Sequence, residues 1–566
     1  MSGDQLVYQM ASSSEGSASI FVKKDWLNIL DNQNGNYRGN QSVIDTSQLA
    51  NSNKYMNYRE AYLAVPMILT ATGAANTAPA TASTAQDYGF GLKNWFGSII
   101  HSFTLDLGGT TIIQQTPFIS LWNTFKLMTS LSWADVQTMG SSIGFYPDNA
   151  LSAFFNSAVT TDGLGVSNNR NALLFPVVTG AANSFDSGNV GLVKRQQYIN
   201  YAPDGLTEIG RAAYSTLLTS SACNSLYKSY IFNKVNIGGG GGIVQYAVMG
   251  MIQLKHLHSF FQNVPLLKGV FMKATLNLNQ PQVTVSVGAG KILNVPSTNI
   301  NPLGGVNPLM IASAEAANGN AAITASQPMS VSLFVGNTCL WSDQTAIAGI
   351  AQSPFTNSIN MYVPAYTFNP VFEQAYLSSP VKRIVYTDVY QYLVQNVAAG
   401  STFNNLVTNG IAGIKSVLVL PYYTGVANTG AITPMSPIQS PFDTAGSTTS
   451  PLCLLNNFNV VVSGQNMIYN TQRYSYEQFM NQLSGTNAVN AGLTDGLTSG
   501  LIGQLDFEMG YCYHYVNCSR MLPVEEPVPK SVSIIGQNQS ARAVDLYVFV
   551  EYGVEISVDV LTGSRV

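Results

Sequence analysis

The chain has 566 residues, enough for two or more domains with cores of their own. Only 10% of them are charged, against the usual quarter, while 46% are apolar, so Ser, Thr, Asn, Gln and Gly stand where charge normally would. Net charge is −4, no run of Lys or Arg occurs and no apolar stretch is long enough to cross a bilayer, which excludes a basic coat for nucleic acid and a transmembrane helix.

A large neutral polar surface suits a protein that packs against many copies of itself, because ion pairs at such contacts need desolvating and return little. A secreted β protein with long uncharged loops has the same composition. The five cysteines, Cys223, Cys339, Cys453, Cys512 and Cys518, argue against it. An odd, scattered set reads as reduced core thiols in a protein made in the cytosol. Cys512 and Cys518 fall in a predicted strand, roughly 20 Å apart along it, too far to bridge.

From the N-terminus, MSGDQLVYQMASSSEG lacks the charged and apolar regions of a signal peptide, and residues 1–20 read as an arm. The chain then resembles itself. Segment 58–70, YREAYLAVPMILT, aligns with 413–425, GIKSVLVLPYYTG, placing Pro66 on Pro421. Segment 103–113, FTLDLGGTTII, aligns with 458–468, FNVVVSGQNMI, at the same offset of 355 residues, placing Phe103 on Phe458 and Gly109 on Gly464. Two matches in fixed register predict one β unit used twice. Gly108–Gly109 reads as the tight turn of a hairpin.

Short helices are expected at 118–128, 254–261, 389–397 and 476–483, and strands at 270–279 and 361–368. The copies differ in the length of chain after the hairpin: about 130 residues (114–242) before the next strand in the first, about 36 (469–504) in the second. The stretch 129–242, rich in Ser, Asn, Gly and Ala and ending in Gly238–Gly242, reads as a surface tower on the first unit. A boundary falls near Ser378–Ser379–Pro380, giving units 21–378 and 379–566.

Alternation predicts a strand over Leu505–Tyr515, then an extended connector with three prolines (522–530), then a strand from Ser531. From Val544 to Val560 every even position is apolar and all the charged residues fall on odd ones, which predicts either two strands or one bent strand with Gly553 at the bend. Tyr547 and Phe549 lie on the opposite face, which implies that a neighbouring subunit covers it.

Chemistry is sparse. His256 and His258 form an HxH pair, but in a helix the rings diverge and no third ligand is at hand. His514 reads as a packing residue, His101 as a loop residue, and Glu525–Glu526 as solvated charges between prolines. The glycines at 238–242 lack the Lys-Ser/Thr of a phosphate loop. Asn40 and Asn538 head glycosylation patterns that a cytosolic chain would not use. No catalytic residue, cofactor site or metal site is expected.

With the units placed, the sequence resembles the double jelly-roll major capsid proteins, most like those of virophages and Polinton-like viruses, in the lineage of adenoviruses and large eukaryotic double-stranded DNA viruses. The residues carrying this are FTLDLGGTTIIQQTPFISLWNTF (103–125), LKHLHSFFQNVPLLKGVFMKATLNLN (254–279) and the ending SVSIIGQNQSARAVDLYVFVEYGVEISVDVLTG (531–563). The resemblance covers most of the chain from about residue 40 and implies an all-β fold: two tandem eight-stranded antiparallel jelly rolls with short helices and long loop insertions. It further implies a non-enzymatic capsid protein, made in the host cytoplasm and residing in the virion. Homotrimers, pseudo-hexagonal in outline, would tile an icosahedral shell around a double-stranded DNA genome. The implied partners are neighbouring capsomers, a single jelly-roll penton protein at the vertices and minor capsid proteins touching the 1–20 arm. Direct sequence-specific binding to nucleic acid is not implied, and the resemblance is silent on an internal membrane. The last strand ends close to Val566, so no processed extension is expected.

Two other classes compete. A receptor- or glycan-binding β-sandwich would cluster its tryptophans, whereas Trp26, Trp95, Trp122, Trp133 and Trp341 are scattered. A β-rich glycan hydrolase would need a spatial pair of carboxylates.

Overall fold

The computed structural model describes residues 19–49, 52–73, 88–148, 191, 195, 231–237, 241–287, 293–300, 304–313, 329–336, 358–424, 438–441, 453, 455–469, 473–484, 499–519, 527–540 and 542–565. The arm at 1–18, most of 129–242, Cys223, Cys339, Trp341 and Glu525–Glu526 lie outside them.

Sixteen strands build two sandwiches. In the first they are β1 (Phe21–Leu30), β2 (Gln41–Asp45), β3 (Tyr62–Gly73), β4 (Ile100–Leu107), β5 (Thr110–Ile113), β6 (Gly241–Gln253), β7 (Met272–Leu278) and β8 (Asn360–Phe368). In the second they are β9 (Val381–Val397), β10 (Thr402–Ile411), β11 (Ile414–Tyr423), β12 (Leu455–Val462), β13 (Gln465–Asn466), β14 (His514–Asn517), β15 (Lys530–Asn538) and β16 (Val544–Asp559).

The first sandwich pairs a sheet containing β1-β8-β3-β6 with a sheet β2-β7-β4-β5. The second pairs β9-β16-β11-β14 with β10-β15-β12-β13. Subtracting eight from each label in the second reproduces the first. All these pairings are antiparallel. Two four-stranded sheets joined in that order are a jelly roll, so the fold is a double jelly roll. One contiguous cluster of buried apolar side chains runs through both rolls.

Accessory strands extend the first roll. The long edge of β3 is shared: Tyr62–Ala64 pair with β8, while Met67–Thr72 pair with the strand Met329–Val335, which passes the sheet on to Gln282–Val287 and Leu293–Asn299.

The internal match falls on the third, fourth and fifth strands of each roll. In β4 and β12 it holds side by side, with Phe103, Leu105 and Leu107 facing inward as Phe458, Val460 and Val462 do. The hairpin turns also agree: Gly108 and Gly109 have φ +56° and +84°, Ser463 and Gly464 +48° and +82°, the paired positive angles of a type I′ turn. The third strands are one residue out of step. Pro66 shares a row with Met249 on the outward face, whereas Pro421 lies opposite inward Leu546. A one-residue slip moves a side chain to the other face of the sheet.

Among the described residues the helices include α1 (Ile119–Ser130), α2 (Trp133–Ile143), α3 (Leu254–Leu257), α4 (Phe260–Asn263), α5 (Pro370–Leu377), α6 (Tyr476–Ser484) and α7 (Gln504–Met509). Ser132 and Asp135 form a capping box on α2, and Gly144 ends it at φ +68°.

Several expected elements come out differently. Val389–Val397 is the end of strand β9, not a helix. The helix expected at 254–261 is two single turns broken at His258, whose φ of −154° is extended. Leu505–Tyr515 is not a strand: α7 occupies 504–509, and strand β14 begins at His514. Its alternation was coincidental, since Leu505 is 70% exposed while Phe507 is buried against Phe479. His101 lies inside β4 and is buried rather than in a loop. Of the two forms open for 544–560, the chain adopts a single strand, β16. The bulge near Gly553 sits across from it, where β11 inserts Lys415 between partners of Tyr552 and Glu551.

Candidate assembly surface

The two rolls meet along a seam centred on α1, which connects the fifth and sixth strands of the first roll. In a helix, side chains three and four positions apart line one face. Phe118, Trp122 and Phe125 use that spacing to reach the outward face of the second roll's β9-β16-β11-β14 sheet. Phe118 meets Tyr547 with ring centroids 5.1 Å apart, and Trp122 meets Phe549 at 6.2 Å. Phe125 lies 5.3 Å from Tyr513 and stacks on Tyr515 at 5.4 Å. At the rim, Lys126 Nζ sits 3.2 Å from Glu551, which also accepts a hydrogen bond of 2.7 Å from the Ser416 hydroxyl.

Tyr547 and Phe549 are therefore covered by a helix of their own chain rather than by a neighbouring subunit. The strand β11 beneath is buried on both faces, with Val417, Leu418, Val419 and Leu420 at most 1% exposed. The covering helix starts from a strained position, since Phe118 takes φ +56°.

Hydrogen bonds follow the seam. Tyr386 Oη donates to Ile112 O at 2.9 Å, Thr116 Oγ1 to Val389 O at 2.8 Å, and Asn263 Nδ2 to Val385 O at 2.8 Å. Ser259 Oγ accepts from Thr387 N at 2.9 Å. The first roll's hairpin presses on the chain's last turn: a Cβ on Gly108 would lie 2.5 Å from Gly563 O. The equivalent turn of the second roll carries Ser463 instead.

The foot of the 129–242 insertion is also part of the seam. Asp148 and Arg195 are buried and paired, the Tyr511 hydroxyl donates to Asp148 O, and Arg195 Nε donates to Leu92 O at 2.6 Å. Beside them the Lys93 ammonium donates to Ser440 O, and burial pulls its pKa down to about 7, Asp148 opposing and Arg195 adding to that shift. Sequence reasoning missed this cluster, because nothing local links positions so far apart.

The residues considered for chemistry go to different places. His256 lies beside Trp95, while His258 Nε2 sits 3.3 Å from Asp388 Oδ1 across the seam, so the HxH pair shares no ligand position. His514 is packed between Phe458 and Tyr474, its Nδ1 3.1 Å from Cys512 O. Burial lowers the pKa of His101, His256 and His514 to about 4 each. Asn538 is fully buried and its amide donates to Val397 O, Ala398 O and Arg542 O, which makes it structural rather than a sugar acceptor. Cys453, Cys512 and Cys518 are free and buried. Among the described residues no three His, Cys, Asp or Glu side chains gather to hold a metal ion, and no helix is long and apolar enough to cross a membrane.

The outward face of the first roll is different. Trp26, Leu30 and Met251 there are 52%, 47% and 41% exposed, around Tyr62 and Tyr362, which stack at 5.2 Å. Lys24 Nζ lies 5.6 Å from the Trp26 ring and 5.2 Å from that of Tyr366, and 3.1 Å from Glu60.

No protein-family model matches the chain, and no curated protein matches it. Solved structures do. The chain is similar to a chain of the Sputnik virophage structure solved by cryo-EM, with 12% identity, a TM-score of 0.46, and 97% of this chain and 89% of that one covered. It is similar to the mavirus major capsid protein at 11% identity and TM-score 0.42, covering 99% of this chain and 93% of that one. For the Faustovirus major capsid protein the figures are 9%, 0.41, 96% and 91%. The double jelly roll stands on the chain's own strand order.

Proposed function

We propose that this chain is a major capsid protein, a structural rather than catalytic component of the virion shell. The observation that supports it most is the repeated strand order. Two rolls of the same strand order, fused through one seam, give a building block with two similar halves. Three such chains would make a pseudo-hexagonal homotrimer able to tile an icosahedral facet around double-stranded DNA. The low charge fits lateral contacts between copies, which need little desolvation of ion pairs. In this reading residues 21–378 and 379–566 are the two rolls, residues near 129–242 rise from the first, and the 1–20 arm meets neighbouring capsomers or minor capsid proteins. A separate single jelly-roll protein would fill the vertices. The chain would be made in the host cytoplasm.

Native mass and negative-stain images of the purified chain test this. A trimer with a six-lobed outline is the expected result. A folded monomer at every concentration and salt would overturn it and move the search to glycan arrays, the test of a receptor- or glycan-binding sandwich.

A further inference from the structure

The chain contains Asn–Gly pairs at 34–35, 318–319 and 409–410. The second of them lies outside the described residues. Glycine has no Cβ to shield its amide nitrogen and its backbone turns freely, so that nitrogen can reach the side-chain carbonyl of a preceding asparagine. In sequence the two described pairs are alike. Their surroundings are not.

Asn34 and Gly35 form the centre of a closed turn. Their φ angles are +50° and +82°, Asn36 N donates to Gln33 O at 3.1 Å, and Gly35 is buried. Paired positive angles of this kind make a type I′ turn, which fixes the backbone between the two residues.

Asn409 and Gly410 lie in β10, an edge strand of its sheet, and both are exposed. Thr408 pairs with Val532 and Ile411 with Lys530, so β10 takes three steps where β15 takes two, and Asn409 and Gly410 fall in the irregular step. A bulge of this kind leaves residues out of the ladder. The Gly410 N–H reaches the Thr408 hydroxyl at 3.5 Å, beyond the usual hydrogen-bond range. Among the described residues nothing but its chain neighbours comes within 4 Å of the place a Cβ on Gly410 would take.

We propose that Asn409 is a site of spontaneous deamidation, a self-modification of the second roll in which the Gly410 nitrogen is the nucleophile. A solvent base removes the Gly410 amide proton and the nitrogen attacks Asn409 Cγ. The new C–N bond closes a cyclic imide, the Cγ–Nδ2 bond breaks, and Nδ2 takes up a proton and leaves as ammonia. Water then opens the ring at either carbonyl, giving aspartate or isoaspartate. The sum is water taken up and ammonia released, with no change of oxidation state. Either product places a carboxylate on β10, which otherwise carries no charged residue. Isoaspartate also adds a methylene carbon to the main chain, which breaks the strand's alternation. Nothing in this chemistry depends on assembly.

Peptide mapping by mass spectrometry, with enzymatic labelling of isoaspartate, tests this on the purified full chain during incubation at mildly alkaline pH. The carboxyl form and isoaspartate are expected to accumulate at Asn409 several-fold faster than at Asn34. In concentrated urea, where neither the turn nor the bulge survives, the two rates should be alike. Asn409→Gln should abolish the product there, and Gly410→Ala should slow it several-fold, each leaving the rate at Asn34 unchanged. If a variant does not fold, the wild-type rates in buffer and in urea decide alone. A folded-state rate at Asn34 equal to or above that at Asn409 would overturn the role given to the bulge. No reaction at Asn409 in the folded chain, with reaction in urea intact, would overturn the site.

Discussion

Two tryptophans show how differently the rolls treat the same sheet face. Trp122 leaves the first roll on α1 and is 5% exposed against Phe549 of the second; Trp26 lies on the first roll's own outward face and is 52% exposed. The strand order around them is the same. What differs is a helix donated from the neighbouring roll, so burial of an outward face here is a property of the pair of rolls and not of either alone.

The comparison breaks most readily at α1. Phe125→Ala and Trp122→Ala should each cost about 3–5 kcal/mol, the usual range for deleting a buried aromatic ring. Denaturant unfolding followed by tyrosine and tryptophan fluorescence measures it. A loss under about 1 kcal/mol would show that the second roll does not depend on its cover.

Acid comes next. His514, inside the second roll, has a folded pKa near 4, below its ordinary 6.5, because burial penalises the charged ring. The unfolded chain therefore takes up the proton first, and stability is full above about pH 6.5 and is lost as pH falls towards 4. The shift corresponds to about 3 kcal/mol as an order of magnitude. His101, which meets Phe118 of the seam at 5.0 Å, has the same direction and window. Unfolding midpoints across that range should fall less steeply in His514→Phe, and an unchanged slope would sink the assignment.

The hairpin turns give a smaller and cleaner contrast. Gly108→Ser copies the second roll's turn into the first, yet drives a Cβ towards Gly563 O, and should cost about 1–3 kcal/mol. Ser463→Gly, the reverse exchange, should change stability by no more than about 0.5 kcal/mol. Equal effects would mean that the seam does not press on Gly108. Smallest of all, Trp26→Glu should leave the unfolding of the isolated chain within about 0.5 kcal/mol of wild type, because an exposed ring has little burial to lose. A large loss would mean that the first roll's outward face is already needed within one chain.

Much of this was legible in the sequence, for a definable reason. Alternation located β16, whose even positions from Val544 to Val560 are all apolar, although α1 covers Tyr547 and Phe549 on its other face. The type I′ turn was legible because its two positive φ angles favour glycine. Where both faces are apolar the signal fails. The run Val417–Tyr423 is apolar throughout, so the repeat alignment found the right strand but slipped its register by one. Val389–Val397 resembled a helix because Val389, Tyr390, Leu393, Val394 and Val397 also fit the spacing of one helical face. Leu505–Tyr515 failed differently, because a helix of one and a half turns is too short to display its own period.

The sequence by itself determined that the chain is β-rich, duplicated and poor in charge, since composition, alternation and repetition are local properties. Only the tertiary structure decided which faces are covered. The partners of Phe549, Glu551 and Lys93 come from distant parts of the chain, and no local pattern encodes a neighbour that folding alone brings near.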